Sequence, residues 1–138
     1  MKVEFDIKIV NEWNVKDIVN LYKAGGWWKE SYEKSGIPAL IYGSFAFAVA
    51  VDKKNNETIG MARVLSDGTS DAYIQDVVVL PKYRKKGIGK KLILKLIEFC
   101  NKKGIYWIAL ISEPDQEQFY EKLGFKHMKH YTPMKFED

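Results

Sequence analysis

The sequence predicts an α+β fold: a mixed, mostly antiparallel sheet with helices on both faces. Three observations carry that prediction. The stretches "SFAFAVAVD", "TIGMARVLS" and "DAYIQDVVV" read as strands separated by the turn-rich "KKNNE" and "DGTS", which makes an antiparallel meander. Segments at helical spacing lie before and after this meander. An apolar stretch then follows the second of them, so strand, helix and strand form a crossover unit, of the right-handed kind that nearly all such units adopt.

Each element has a local reason. Residues 3–9 alternate like a strand. From Asn14 onward, Val15, Ile18, Val19 and Tyr22 fall at helical spacing, with Asn14 as N-cap and Gly25 and Gly26 as a stop. Residues 27–34 read as a second, short helix ended by Gly36 and Pro38. After the meander, Ile88, Leu92, Leu96 and Phe99 make one apolar stripe, which Ile93, Ile97 and Cys100 widen into a helix face ended by Gly104. "IYWIALI", residues 105–111, is too continuously apolar for a half-exposed strand. It is therefore placed in the sheet centre, both faces covered, parallel to Asp71–Val79. A last helix spans residues 115–123 before Gly124, and "HYTPMKF" supplies a closing strand.

With 138 residues, 46% hydrophobic and 14% aromatic, the chain reads as one domain over residues 1–138. The N-terminus interleaves charged and apolar residues, so it reads as a strand and not as a signal peptide. No apolar run approaches the roughly 18 residues of a membrane helix. A single cysteine, Cys100, excludes a disulfide framework and removes the usual pairing for zinc, and the cytoplasm is the default compartment. The net charge of +4, from 22 basic against 18 acidic residues, is too small to declare a nucleic-acid protein. Seven cations nevertheless fall between Lys82 and Lys95, a local field that suits a local anionic partner or a solvated helix face.

"PKYRKKGIGKKL" concentrates that field. Gly87 and Gly89 each cost a helix roughly 0.5–1 kcal/mol relative to alanine, and neighbouring cations repel, so an anion is expected to offset both. The segment enters a helix, whose first backbone N–H groups have no intrahelical acceptor. Those donors, the positive end of the helix dipole and the flanking cations suit a diphosphate, with glycine keeping any Cβ out of its way. Neither the P-loop nor the dinucleotide fingerprint fits. The first lacks its spacing and hydroxyl, and the second meets Leu92 where it needs its third glycine.

Arg84-Lys85-Lys86-Gly87-Ile88-Gly89 after "VVVLPKY", followed by a helix, an apolar strand and "QFYEKLGF", resembles the GCN5-related N-acetyltransferases over nearly the whole chain. The resemblance implies an acetyl-CoA-dependent N-acetyltransferase. It implies that Arg84, Lys85, Lys86, Gly87, Ile88, Gly89 and Lys90 cradle the coenzyme A pyrophosphate through backbone amides, with the lysines meeting its other phosphates. The strand end Val77, Val78 and Val79 would carry a bulge whose main chain binds the pantetheine arm and the acetyl carbonyl. Tyr120 matches the tyrosine that the family places beside the sulfur, where it would protonate the leaving thiolate; packing with Phe119 and Leu123 is its other role.

Amide formation also needs the amine deprotonated, since an alkylammonium of pKa near 10 is charged at neutral pH. Asp76 is the base candidate, because an aspartate within a strand needs a reason; a structural role in the sheet is the other reading. Trp27, Trp28 and Glu30, between the first helix and the second strand, and Tyr73 and Gln75 on the third strand of the meander, are the acceptor-binding candidates. The aromatic rings there suit an apolar or cationic amine, or simply a small core. One departure from the family stands out. Many members carry asparagine seven residues before the tyrosine, and here that position is Glu113, a different partner for the coenzyme. Ser112 and Asp115 can form a capping box around Pro114. His127 and His130 lack a third ligand, so no metal is expected. The expected partner is a small-molecule amine or an exposed protein amino group, with no nucleic acid and no membrane, and a homodimer is left open. The runner-up is a catalytically silent acyl-CoA-binding module.

Overall fold

The computed structural model describes residues 2–137. Strands β1 (Phe5–Ile9), β2 (Ala46–Asp52), β3 (Thr58–Ser66) and β4 (Asp71–Val79) pair antiparallel in sequence order, and β5 (Trp107–Leu110) joins β4 in parallel. The result is one sheet in the order β1-β2-β3-β4-β5. Helices α1 (Val15–Ala24) and α2 (Ile37–Gly43) cover one face; α3 (Ile88–Lys102) and the short α4 (Glu117–Glu121) pack on the other.

Strand β2 shows how the sequence selects this layering. Its alanines, Ala46, Ala48 and Ala50, join the cluster under α3, while Phe47, Val49 and Val51 fill the cluster under α1 and α2. The period of two sorts small side chains to the face where the long helix lies and large ones to the other. Helix α1 begins where Asn14 accepts a 3.0 Å bond from the Asp17 N–H. Helix α3 buries Ile88, Leu92, Ile93, Leu96 and Cys100, the predicted stripe with Phe99 left half-buried.

Three expectations change. Residues 27–33 are not helical; a 3-10 turn at Lys34–Gly36 leads into α2, with Pro38 in its first turn. Proline lacks an N–H, and the first turn is where a helix does not need one, so Pro38 starts a helix where it was expected to end one. The strand expected in the sheet centre is the edge strand β5, with Tyr106 75% and Ile111 77% exposed on either side of it. A continuous apolar run cannot by itself tell a central strand from an edge. The closing strand does not form among the described residues, and Tyr131, Met134 and Phe136 are exposed. No helix of the described residues is long and apolar enough to cross a membrane.

One irregularity positions the site. Arg63 faces Gln75 and Met61 faces Val78, so Ala62 alone spans Asp76 and Val77, a β-bulge in β4. Asp76 takes a left-handed backbone with φ 57°. The extra residue flips the side-chain parity: Ala72 and Ile74 point to α3 before the bulge, whereas Val78 points to α1 after it.

The phase of α3 is open to test. Leu92→Ala, at a fully buried position, should lower stability by about 2–5 kcal/mol in denaturant unfolding, whereas Leu94→Ala, at 39% exposure, should change it by roughly 0.5 kcal/mol or less. Equal losses would place the helix in another rotation.

Candidate active site

The loop after β4 is held in place before it meets any ligand. Pro81–Tyr83 forms a 3-10 turn, and buried Tyr83 donates its hydroxyl toward Asp52 Oδ2 and Glu57 Oε1, at 3.0 and 2.9 Å. Arg84 Nε donates to the Val79 carbonyl at 2.9 Å, tying the loop back to its strand. Lys82 pairs with Glu57 and Lys95 with Glu98, so both ends of the basic run have acidic neighbours. Between them, Lys85 and Gly87 are both left-handed, with φ 62° and 83°. Alternation of this kind turns successive backbone N–H groups toward one side, and helix α3 adds its own free N–H groups beyond Gly87. Lys85, Lys86, Gly87, Lys90 and Lys91 line a concavity of about 530 Å³ together with Lys2, Val3 and Phe5.

The two glycines serve different ends. Gly87 supplies the positive φ at the helix entry, with nothing within 4 Å of a hypothetical Cβ. At Gly89 a Cβ would come within 3.2 Å of Phe119 Cζ, so this glycine lets α4 approach α3. Gly89 thus has a packing reason of its own beside the clearance for phosphate expected of both glycines.

Beside the loop the sheet opens. Pairing of β4 with β5 ends at Ile74 opposite Leu110, so on that side the main chain of Gln75, Asp76, Val77, Val78 and Val79 has no strand partner among the described residues. Tyr120 in α4 packs edge-on against Phe119 and Phe125. Burial first, and the charge of Glu113 second, push its hydroxyl up to about 12, so the phenol keeps its proton at neutral pH. Cys100 is fully buried, and burial raises its thiol, which leaves it no nucleophilic role.

On the α1 face, polar groups converge on the bulge. Asp76 Oδ2 accepts from the Tyr22 hydroxyl at 2.7 Å and from Arg63 Nε at 2.7 Å. The other guanidinium nitrogens of Arg63 reach Ser44 Oγ at 3.5 Å and Gln75 Oε1 at 3.4 Å. Tyr22 is raised above its ordinary value, chiefly by burial and then by its bond to Asp76. Trp27 lies edge-on to Tyr22 at 6.2 Å and donates from Nε1 to Glu113 Oε1 at 3.0 Å. Of the acceptor candidates, Gln75 and Trp27 therefore reach this cluster, and Asp76 is its hub. Tyr73 lies edge-on to Trp107 farther along β4, Trp28 pairs with Tyr32, and exposed Glu30 stands outside it. Ser112 Oγ donates to the Glu113 carbonyl, so the expected capping box is not formed.

Tyr22, Arg63 and Ser44 were not among the sequence candidates. Tyr22 was read as part of an apolar helix stripe, which it also is. A lone arginine inside the otherwise uncharged "TIGMARVLS" was the available signal for Arg63.

A mixed sheet with an opened strand edge and a left-handed glycine turn entering a long helix is the architecture expected of the N-acetyltransferases. The model of the acetyltransferase (GNAT) family matches residues 13–125, and the chain belongs to that family. It is 36% identical over 128 residues to the N-acetyltransferase ycf52 of Pyropia yezoensis, covering 90% of this chain and 73% of that protein. A GNAT-family acetyltransferase of Streptococcus pneumoniae TIGR4 superposes with a TM-score of 0.81 at 27% identity, over 98% of each chain. The aminoglycoside N-acetyltransferase AAC(6')-Iy, in complex with CoA, shares the fold with a TM-score of 0.75 at 17% identity, over 99% of this chain and 97% of that one.

The raised tyrosines fix a pH dependence. Their folded values exceed the ordinary 10, so an unfolded chain ionises first; this stability is intact below pH 10 and lost as pH rises toward about 12. Denaturant unfolding between these limits should show a decline that Tyr22→Phe with Tyr120→Phe flattens by on the order of 1 kcal/mol, after allowance for partial exposure. An unchanged slope would assign the alkaline loss to other groups.

Proposed function

We propose that the chain transfers an acetyl group from acetyl-CoA to a primary amine, of a small molecule or an exposed protein amino group, by direct attack in a ternary complex. The unpaired main-chain edge from Gln75 to Val79, leading into a cationic helix entry, is the observation that carries this reading. A peptide-like pantetheine arm can pair with such an edge as an added strand would, and its diphosphate then falls at the left-handed turn of Lys85 and Gly87. The basic concavity around Lys90 and Lys91 suits the remaining phosphate.

The chemistry follows from these placements. The neutral amine attacks the thioester carbonyl from the α1 face, a C–N bond forms, and charge grows on the oxygen. Main-chain N–H groups at Val77, Val78 or Val79 stabilise that oxyanion, an effect commonly about 3 kcal/mol per donor. Collapse breaks the C–S bond, and the Tyr120 hydroxyl donates a hydrogen bond to the thiolate. The amine's proton passes to Asp76, directly or through water, at Oδ1, while Tyr22 and Arg63 hold Oδ2. The two bonds on Oδ2 also favour the second reading, a silent acyl-CoA-binding module in which Asp76 only anchors the bulge.

An amine panel with acetyl-CoA, followed by free-thiol release, separates the two. Tyr120→Phe should lower kcat by about 10²-fold with coenzyme affinity unchanged by calorimetry. Coenzyme binding without thiol release on any amine would establish the silent module; no heat on titrating CoA would end both readings.

A further inference from the structure

Glu113 stands where the family resemblance places a coenzyme-holding asparagine, and its side chain bonds to the segment after α1. Its Oε1 accepts from Trp27 Nε1 at 3.0 Å, across 86 residues of sequence, and so joins the end of β5 to the segment after α1. That segment is the proposed acceptor wall. Glu113 is also close enough for its charge to act on Tyr120. It therefore lies between the proposed acceptor wall and the proposed leaving-group tyrosine.

The two carboxylates on this side differ electrostatically. Asp76 is matched by Arg63 at 2.7 Å. Glu113 forms no ion pair among the described residues, and its one side-chain hydrogen bond comes from a neutral indole. An indole N–H orients a carboxylate without cancelling its charge. Trp27 uses Oε1, which leaves Oε2 for a ligand. Tyr22 and Trp27, edge to face at 6.2 Å, form an aromatic span with Asp76 at one end and Glu113 at the other.

We infer that Glu113 is an acceptor-recognition residue: it receives the ammonium group of the incoming amine through Oε2, with Trp27 fixing its orientation, and does not hold the coenzyme. The assignment rests on the acetyl-transfer reading for its chemistry. It favours acceptors with a second positive charge over phosphorylated ones, because the unmatched carboxylate attracts the first and repels the second.

The test uses Glu113→Gln and Glu113→Asn, both at an exposed position, with 1,4-diaminobutane and glucosamine 6-phosphate as acceptors. Glu113→Gln should raise the KM for the diamine about tenfold or more, the effect of losing a charge-assisted hydrogen bond, with the calorimetric Kd for CoA within about twofold of wild type. The KM for the phosphorylated amine should stay level or fall. Glu113→Asn should behave like Glu113→Gln toward amines, although it restores the residue usual in the family. A weaker coenzyme affinity with the acceptor KM unchanged would overturn the assignment. To separate this from failure of the catalytic reading, each protein is saturated with CoA and titrated with the diamine. Diamine binding that weakens about tenfold in Glu113→Gln supports the assignment even where no acetyl transfer occurs; equal binding, or none in wild type, overturns it.

Discussion

The left-handed kink at Asp76 is the constraint on which the site depends. A residue with a Cβ in this conformation costs roughly 1–2 kcal/mol, and aspartate is among the few that adopt it with any frequency. The same side chain recovers that cost, since a hydrogen bond to a charged group contributes about 1.5–3 kcal/mol and Asp76 Oδ2 receives two bonds. Kink and anchor are thus one residue. Downstream of it the parity of β4 reverses, Val78 packs under α1, and the main chain leaves the line that would have kept it paired with β5. An unkinked β4 would put Val78 under α3.

Much of the fold was legible because its determinants are local. The alternating alanines of β2, the Asn14 cap and the apolar stripe of α3 each follow from the neighbours of the residue concerned. What escaped was relational. "IYWIALI" has the composition of a covered strand, but whether another strand lies beyond it is decided by the rest of the chain, and none does among the described residues. Similarly, Gly36 and Pro38 mark a helix boundary without saying on which side the helix lies. Only Ile37 and Ile41, buried one turn apart, show that it follows.

The site divides along the same line. Gly87 was legible as a backbone requirement, since its left-handed turn is a local need. Gly89 was legible as a glycine but not for its packing reason, because Phe119 reaches it from thirty residues away. Asp76 was suspected for being an acidic residue in a strand. Its partner Arg63 is an equally anomalous cation in the adjacent strand, and neighbouring strands bring opposite charges together. Two misplaced charges of opposite sign in consecutive strands are a stronger sign than either alone.

The proton chemistry follows from the surroundings of Tyr120. Burial and the Glu113 charge hold its hydroxyl at about 12, so full transfer of its proton to a thiolate whose parent thiol lies near 8.5 runs uphill by roughly 5 kcal/mol. In the proposed reaction, then, the phenol acts first as a hydrogen-bond donor to developing negative charge. The proton that finally neutralises the thiolate comes from solvent or from the one the amine has given up to Asp76. Keeping the phenol a weak acid therefore confines it to hydrogen bonding. It also means that a thioester bound without an amine has no strong acid beside its sulfur to promote wasteful hydrolysis.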